Sequence, residues 1–532
     1  MSLQDASAPV TSHNEAGSEP LQRPYRWYAL GVMSIVYMLS FIDRQIISIL
    51  AEDIKHDLAL DDAQLGFLYG TAFATFYAVL GIPLGKLADS WTRARLMAIG
   101  LALWSVMTVM SGFAQSYTML ALARVGVGIG EASASPAAYS MLADYFRSRQ
   151  RALANSVYSA GLYVGMGLSL PLGGAISQGW NRAFAGNLPL GLSGWQAAFI
   201  AVGTPGILAA VWVNTLREPT RHDTAGNPLP GVSPTVWRDF LDELLAIVPP
   251  FTFFTAGRYR GGLWRNLKAL AVIVLAMAVL IGLTGDHVQW TVYGVGLYSI
   301  VSWIQVLRFR DPAAYRLIWG SRPVVIAIGA FGCLAVMTYG FGFWVAPFAI
   351  RTFHVDIGQV GLAIGIPGAI GSALGVIAGG RLSDAWKQRN PKGRVYTCMI
   401  AAIVPMCIIP YMFTLSDFGR YVLISPIAYF FINIWVGSTV ATYQDLVISR
   451  MFGLVSATYL IGSTMVGLAI GPYTSGKVAT VSSSLQAGVF SLLPFSVLAV
   501  AGLFYLSRHI ENLERTKEAR VRDALDEIQG GI

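Results

Sequence analysis

Charge is scarce in this chain. Only 12% of its 532 residues are Asp, Glu, Lys or Arg, and 55% are apolar, whereas an average soluble protein carries about 25% charged residues. That shortage excludes an ordinary water-soluble globule and puts most of the chain in lipid. Cysteine is rarer still. Cys333, Cys398 and Cys407 all fall inside apolar runs, lack the spacing of a metal-ligand set and read as core packing. None of the six histidines, His13, His56, His222, His287, His354 and His509, lies in the middle of an apolar run, which argues against a haem or metal site within the membrane. No Gly-x-x-x-x-Gly-Lys-Ser/Thr stretch occurs, so nothing supports ATP-driven chemistry. Gly126, Gly128 and Gly130 follow no strand and have the wrong spacing for a dinucleotide loop; small residues of this kind let helices approach closely. The first twenty residues are polar and lack an apolar core, so no cleavable signal peptide is expected and residues 1–24 read as a disordered cytoplasmic tail.

What is present is a repeat. Gly85-Lys86-Leu87-Ala88-Asp89-Ser90-Trp91 returns 295 positions later as Gly380-Arg381-Leu382-Ser383-Asp384-Ala385-Trp386. Each copy ends an apolar segment and opens a basic loop, the mark of two related halves built from membrane helices. Spans of about 20 apolar residues fit 27–49, 64–87, 96–114, 117–142, 152–176 and 196–216. A second set fits 323–348, 358–382, 395–414, 420–441, 452–473 and 485–507. This divides the chain into a six-helix bundle over 25–217, an insert over 218–322, a second bundle over 323–508 and a charged C-terminal surface helix or tail over 509–532. The insert opens with a polar stretch over 218–233. Trp237, Phe240, Leu241, Leu244, Leu245 and Val248 then follow helical spacing opposite Asp239, Asp242 and Glu243, the pattern of a helix lying in the membrane interface. Two further apolar runs, 267–285 and 288–307, predict an inserted helical hairpin and bring the expected count to fourteen spans.

The net charge of +8 does not call for nucleic acid, because the basic residues sit in short loops. With the N-terminus in the cytoplasm, Arg93, Arg95, Arg147, Arg149, Arg151, Arg217, Arg221, Arg258, Arg260, Arg265, Arg308, Arg310, Arg316, Arg322, Lys387, Arg389, Lys392, Arg394 and Arg450 fall inside. Only Lys55, Arg182, Arg351, Arg420 and Lys477 fall outside. That asymmetry predicts both termini in the cytoplasm.

Four ionisable residues lie inside expected spans: Asp43 and Arg44 in the first, Arg124 and Glu131 in the fourth. A charge at such depth is paired or faces a watery cavity. A rise of 1.5 Å per residue sets Asp43 and Arg124 at similar height in the outer half and Glu131 near the midplane. Arg124 and Glu131 are seven apart on one helix face, so Arg124 is expected to choose between Asp43 and Glu131. A carboxylate stays ionised beside the arginine and takes a proton when the arginine leaves; Asp43 and Glu131 are thus the candidate proton-coupling groups, and Arg44 and Arg124 the charge switch and substrate contacts. The alternative is a static buried salt bridge, with Arg44 snorkelling outward. In the second half the corresponding positions are neutral. Thr338, Tyr339, Phe341, Trp344, Asn433 and Trp435 are expected to form a neutral, aromatic cavity wall, with ordinary packing as the competing reading.

The stretch from Gly85 to Arg95 resembles the loop signature of the major facilitator superfamily, with Ser90, Thr92 and Ala94 departing from it. The resemblance implies an all-α integral membrane fold of two pseudo-symmetric six-helix bundles, here with an added hairpin. It also implies a cytoplasmic gate at Gly85, Asp89, Arg93, Arg95, Gly380, Arg381 and Asp384, with Asp89 facing the helix start at Phe452-Gly453. Within the superfamily, Asp43-Arg44, the run from Arg124 to Ser133, Pro136 and Asp144 are similar to the Spinster family of lysolipid and sphingolipid transporters over about 35–170. This implies a secondary carrier, not an enzyme, that moves a lipid or amphiphilic anion, with Asp43, Arg44, Arg124 and Glu131 at the central site. The expectation is thus a monomer among membrane lipids, with no cofactor, the proton as coupling ion and no nucleic acid. An organic-anion or sugar carrier of the same fold, and a non-transporting receptor on that scaffold, are the competing readings.

Overall fold

The apolar runs fold as helices, the one open-ended structure that satisfies its own backbone in lipid. The computed structural model describes residues 23–146, 148–185, 187–221, 232–259, 261–448 and 451–529. The expected N-terminal tail and the basic residues Arg147, Arg260 and Arg450 lie outside the described residues, apart from the helix that begins at Arg23.

The first bundle comprises α1 (Arg23–Asp57), α2 (Asp62–Tyr69), α3 (Thr71–Ser90), α4 (Arg93–Ser111), α5 (Tyr117–Glu131), α6 (Ala134–Tyr145), α7 (Ser148–Ala183) and α8 (Gly194–Asn214). The insert holds α9 (Val236–Ile247), α10 (Thr252–Gly257), α11 (Gly262–Thr284), α12 (His287–Arg310) and α13 (Pro312–Leu317). The second bundle begins with α14 (Arg322–Phe353), α15 (Ile357–Arg389), α16 (Gly393–Phe413), α17 (Phe418–Asn433) and α18 (Trp435–Asp445). It closes with α19 (Phe452–Ile461), a π-helical stretch over Gly462–Leu468, α20 (Ala469–Ser482), α21 (Leu485–Phe490) and α22 (Leu493–Gln529). Local chemistry marks several starts. Asp61 and Gln64 form a capping box at α2, with Gln64 N to Asp61 Oδ1 at 2.7 Å and Asp61 N to Gln64 Oε1 at 3.0 Å, and Ser193 with Gln196 does the same at α8.

Twelve helices among the described residues are long and apolar enough to cross a membrane, and they include both arms of the hairpin. The expected fourth and eleventh spans are helical but interrupted, the fourth at Ala132-Ser133 and the eleventh by the π stretch. The charged tail is not a separate surface helix: α22 continues the last span without a break to Gln529. Cys398 is buried as expected, whereas Cys407 faces outward on α16.

Within the hairpin, α11 packs on α12 and α10. Only 11% of its span window is buried, against 61% for α12, so α11 faces outward and α12 lies against α3 and the helix of 462–482. Asn266 bonds within the insert: its Nδ2 donates to Ser302 Oγ at 2.8 Å and to Gln305 Oε1 at 3.3 Å. The segment expected to lie in the membrane interface is helical, as α9, and leans on the end of α3 through Trp237 and Trp91, whose ring centroids are 5.5 Å apart.

Candidate functional site: buried charges between two bundles

The four intramembrane charges meet in the first bundle. Asp43, Arg44, Arg124 and Glu131 are 3%, 6%, 0% and 2% exposed. Arg44 ion-pairs with Glu131, which also accepts from Ser40 Oγ at 2.8 Å. Asp43 accepts from Thr108 Oγ1 on α4, and its other oxygen lies 3.8 Å from Arg124 Nη1. In this structure Arg124 stands by Asp43 and Arg44 takes Glu131, so each carboxylate has its own arginine. Arg44 does not snorkel. Its guanidinium sits over the rings of Phe73, Phe41 and Tyr77, at 4.4, 4.7 and 5.2 Å, where the ring faces attract it. Phe73 also lies 5.9 Å from Arg124, so one ring separates the two cations.

The pairs cancel one another's charge but are not saturated. The three guanidinium nitrogens of Arg124, Arg44 Nε, Asp43 Oδ1 and Glu131 Oε1 are buried and make no hydrogen bond. Buried donors and acceptors left open are costly, and they are atoms on which a proton or a ligand oxygen can be held.

The predicted wall is only partly a wall. Tyr339 is half-buried and stands near Arg44, and Tyr459 lies near Tyr339, Tyr163 and Tyr139. Thr338 accepts from Trp435 Nε1 at 3.2 Å. Asn433 turns into its own bundle, donating to Ser372 Oγ at 3.2 Å and to the Tyr429 carbonyl at 2.8 Å. Phe341 and Trp344 are corrections. Phe341 is packed among Phe413 and Tyr429, and Trp344 is fully buried with its Nε1 on the Pro472 carbonyl at 3.0 Å.

One end of the bundle pair is closed by contacts that the sequence reading did not anticipate. Gln45 Nε2 donates to the Gly342 carbonyl at 2.9 Å and Ser48 Oγ to the Phe343 carbonyl at 2.6 Å. Thr71 Oγ1 reaches the Ala469 carbonyl at 2.8 Å. A Cβ at Gly66 would stand 2.4 Å from the Pro472 carbonyl oxygen, so α2 and α20 touch backbone to backbone. Above these, Arg351 of α14 bridges Glu52 at 2.7 Å and both oxygens of Asp62 at 2.7 and 2.5 Å, and Lys55 adds a contact to Asp62 at 2.7 Å.

At the opposite end, the described polar contacts of the predicted gate do not run from one bundle to the other. Arg93 holds Asp144 at 2.5 Å, Glu218 at 2.6 Å and Ser140 at 2.9 Å. Arg394 pairs with Asp445 and, at 3.0 Å, with Asp384. Asp89 has an exposed carboxylate near Lys86, Arg221 and Arg93, and Arg221 donates to the carbonyls of Ala88, Asp89 and Trp91 at the end of α3. Burial, and then the nearby Arg93, hold the Arg221 guanidinium below its usual value. Arg95 and Arg381 are exposed and stand outside these clusters. A Cβ at Gly85 or Gly380 would meet nothing within 4 Å, so close packing requires neither glycine. The duplicated bond at this end is Arg93–Asp144 with Arg394–Asp445.

A family model for the Major Facilitator Superfamily matches residues 33–472. The chain belongs to that superfamily. It is a secondary transporter and not an enzyme. Among curated superfamily proteins, an "MFS-type efflux pump" of Mycolicibacterium smegmatis is 27% identical over 85% of this chain and 84% of its own length. A probable galactarate/D-glucarate transporter, GudP of Escherichia coli, is 22% identical over 95% of this chain and 98% of its own. Among solved structures, a bacterial homologue of the human lysosomal transporter Spinster, inward-facing and unoccupied, superimposes with a TM-score of 0.66. It has 24% identity, covering 93% of this chain and 99% of that one. This likeness carries the fold.

Proposed function

We propose that this superfamily member is a proton-coupled carrier of an amphiphilic lipid, such as a lysophospholipid or sphingolipid, working by alternating access between its two bundles. The observation that carries the reading is the pair of buried, incompletely hydrogen-bonded ion pairs, Arg44–Glu131 and Arg124–Asp43. Protonating either carboxylate frees its arginine, and an anionic headgroup then competes for that guanidinium, whose geometry suits phosphate and carboxylate. The half-exposed tyrosines and the apolar walls give an acyl or sphingoid tail a surface to lie on. The lipid class itself comes from the resemblance of Asp43-Arg44 and of the run from Arg124 to Ser133 to the Spinster family of lipid transporters.

The membrane arrangement belongs to the same reading. The hairpin and both interrupted helices cross, giving fourteen spans, and the basic loops place both termini in the cytoplasm. The closed end bearing Arg351 is then extracellular and the chain faces inward. The protein acts as a monomer, with the proton as coupling ion and no other cofactor.

A second reading, an organic-acid carrier, is favoured by the sugar-acid transporter GudP, which matches nearly the whole chain. Proteoliposomes with an imposed pH gradient separate the two. Gradient-driven uptake of a lysolipid that glucarate does not compete away supports the lipid carrier, and competition by glucarate alone supports the second reading. Gradient-driven uptake that survives in both Asp43→Asn and Glu131→Gln removes the proton role.

A further inference from the structure

The insert is tied to both bundles at opposite ends. At the tip of the hairpin, Asp286 accepts from Tyr473 Oη at 2.6 Å and from Lys477 Nζ at 3.0 Å, both on α20 of the second bundle. Trp290 packs edge-on against Tyr473 at 5.3 Å. At its other end, α9 rests on the first bundle: Trp237 packs on Trp91, and Ser233 N donates to the Ser90 carbonyl at 3.0 Å. Glu243 of α9 joins this foot to α12 through Trp303 Nε1 at 3.0 Å and Arg310 at 2.5 Å. Between the two ties, α12 lies in the seam. A Cβ at Gly296 would stand 2.4 Å from Thr75 of α3 and 3.0 Å from Met465 of the π stretch, so a single residue of the hairpin touches both bundles.

Two polar side chains in the same seam are unsatisfied. Gln289 lies two turns before Gly296 on the same face of α12. It is 3% exposed, and neither of its amide atoms makes a hydrogen bond; buried Thr75 Oγ1 makes none either. A buried amide without a partner raises the energy of the arrangement that contains it. The helix opposite is wound as a π turn here, a departure found most often where a helix does something other than pack. The seam is thus bonded through Asp286 and left unpaired at Gln289, just inside the tip, and at Thr75, opposite Gly296.

We propose that the hairpin is a strap across the seam between the bundles: Asp286 holds the closed end shut, and α12 slides along α3 when the bundles rock. This rests on the alternating-access reading above. Opening the Arg351 end separates α3 from α20, and the strap is anchored to both. The ion pair at the tip is the tie that gives, because Asp286 and Lys477 keep 25% and 20% of their side chains in solvent. Gln289 and Thr75 gain partners in the other register.

The test uses the full chain in lipid nanodiscs, with Cys333, Cys398 and Cys407 changed to alanine and spin labels on His56→Cys and Val481→Cys. These are exposed positions at the closed end of the first and second bundles. Pulsed electron paramagnetic resonance reads the populations of near and far distances. Asp286→Asn and Lys477→Gln are each expected to raise the far population several-fold, and Gln289→Leu to lower it. A distance distribution that does not change in Asp286→Asn overturns the strap even if the melting temperature falls, since a merely structural pair would give that result. A Gln289→Leu distribution equal to wild type overturns the sliding. A single distance in wild type across pH and added lysolipid removes the rocking itself, and with it both proposals.

Discussion

Arg351 is the largest polar tie between the bundles, and its removal has a calculable effect. It makes three charge-assisted hydrogen bonds across the boundary, one to Glu52 and two to Asp62. A buried hydrogen bond to a charged group contributes about 1.5–3 kcal/mol. The Arg351 and Glu52 side chains keep 23% and 21% of their surface in solvent, so about 1 kcal/mol per bond is the better figure, or roughly 3 kcal/mol together. None of these bonds survives when the two bundles part at this end. Arg351→Met should therefore raise the ratio of open to closed molecules by about 100-fold. Arg351→Lys keeps the charge but loses the two-pronged grip on Asp62, and about 10-fold is expected. The assay is the alkylation rate of Ser48→Cys by a membrane-impermeant maleimide applied from the Arg351 side, in a background without the native cysteines. Ser48 is fully buried behind the gate and differs from cysteine by one atom. An alkylation rate in Arg351→Met equal to that of the arginine parent would refute the assignment of this cluster as the gate.

Two further outcomes follow from named contacts. Glu131→Gln strips Arg44 of its counter-ion, a loss of about 3–5 kcal/mol for a buried pair, of which the rings of Phe73 and Phe41 return about 1 kcal/mol. Asp43→Asn should cost less, because Arg124 stands 3.8 Å away without a hydrogen bond. Denaturant unfolding in micelles ranks the two, and the reverse order would contradict the pairing. Gly66→Ala sets a methyl group against the Pro472 backbone, so the Arg351 end should fail to close. The variant should fold but alkylate rapidly at Ser48→Cys and lose net uptake, and normal uptake would show that the contact is dispensable.

The halves, twelve of the fourteen expected spans and the four buried charges were legible because each rests on a pattern along the chain: an apolar run, a repeated motif, a charge where lipid forbids it. Partner choice was not legible. Seven-residue spacing put Arg124 and Glu131 on one face, but nothing in that spacing says that Phe41, Phe73 and Tyr77 draw Arg44 inward to take Glu131 first. The duplicated bond at the Arg93 end was hidden by a change of offset. The Gly85 motif repeats at 295, whereas Arg93 and Asp144 recur at 301, as Arg394 and Asp445, because the second copy has a longer loop after its tryptophan. Glu52, Asp62 and Arg351 sit at span ends, where charge is ordinary, so their meeting across the bundles left no mark in the sequence. Trp344 had the composition of a cavity wall and became packing because its indole nitrogen found the carbonyl of Pro472.

The last helix has a mechanical use. α22 runs 37 residues without interruption, about 55 Å at 1.5 Å per residue, while the hydrocarbon layer is about 30 Å thick. Its protruding part is braced sideways, by Glu514 on Lys387, by Glu511 on Lys392 at 3.7 Å and by Arg520 on the Arg316 carbonyl at 3.0 Å. A rod splinted in this way turns as one piece with the corner between α15 and α16 and with α13 of the insert. A few degrees of tilt at the centre become a swing of several ångströms at its end, so a fluorophore fixed near Arg522 would act as the pointer of a gauge that reads the carrier's state from outside the bilayer.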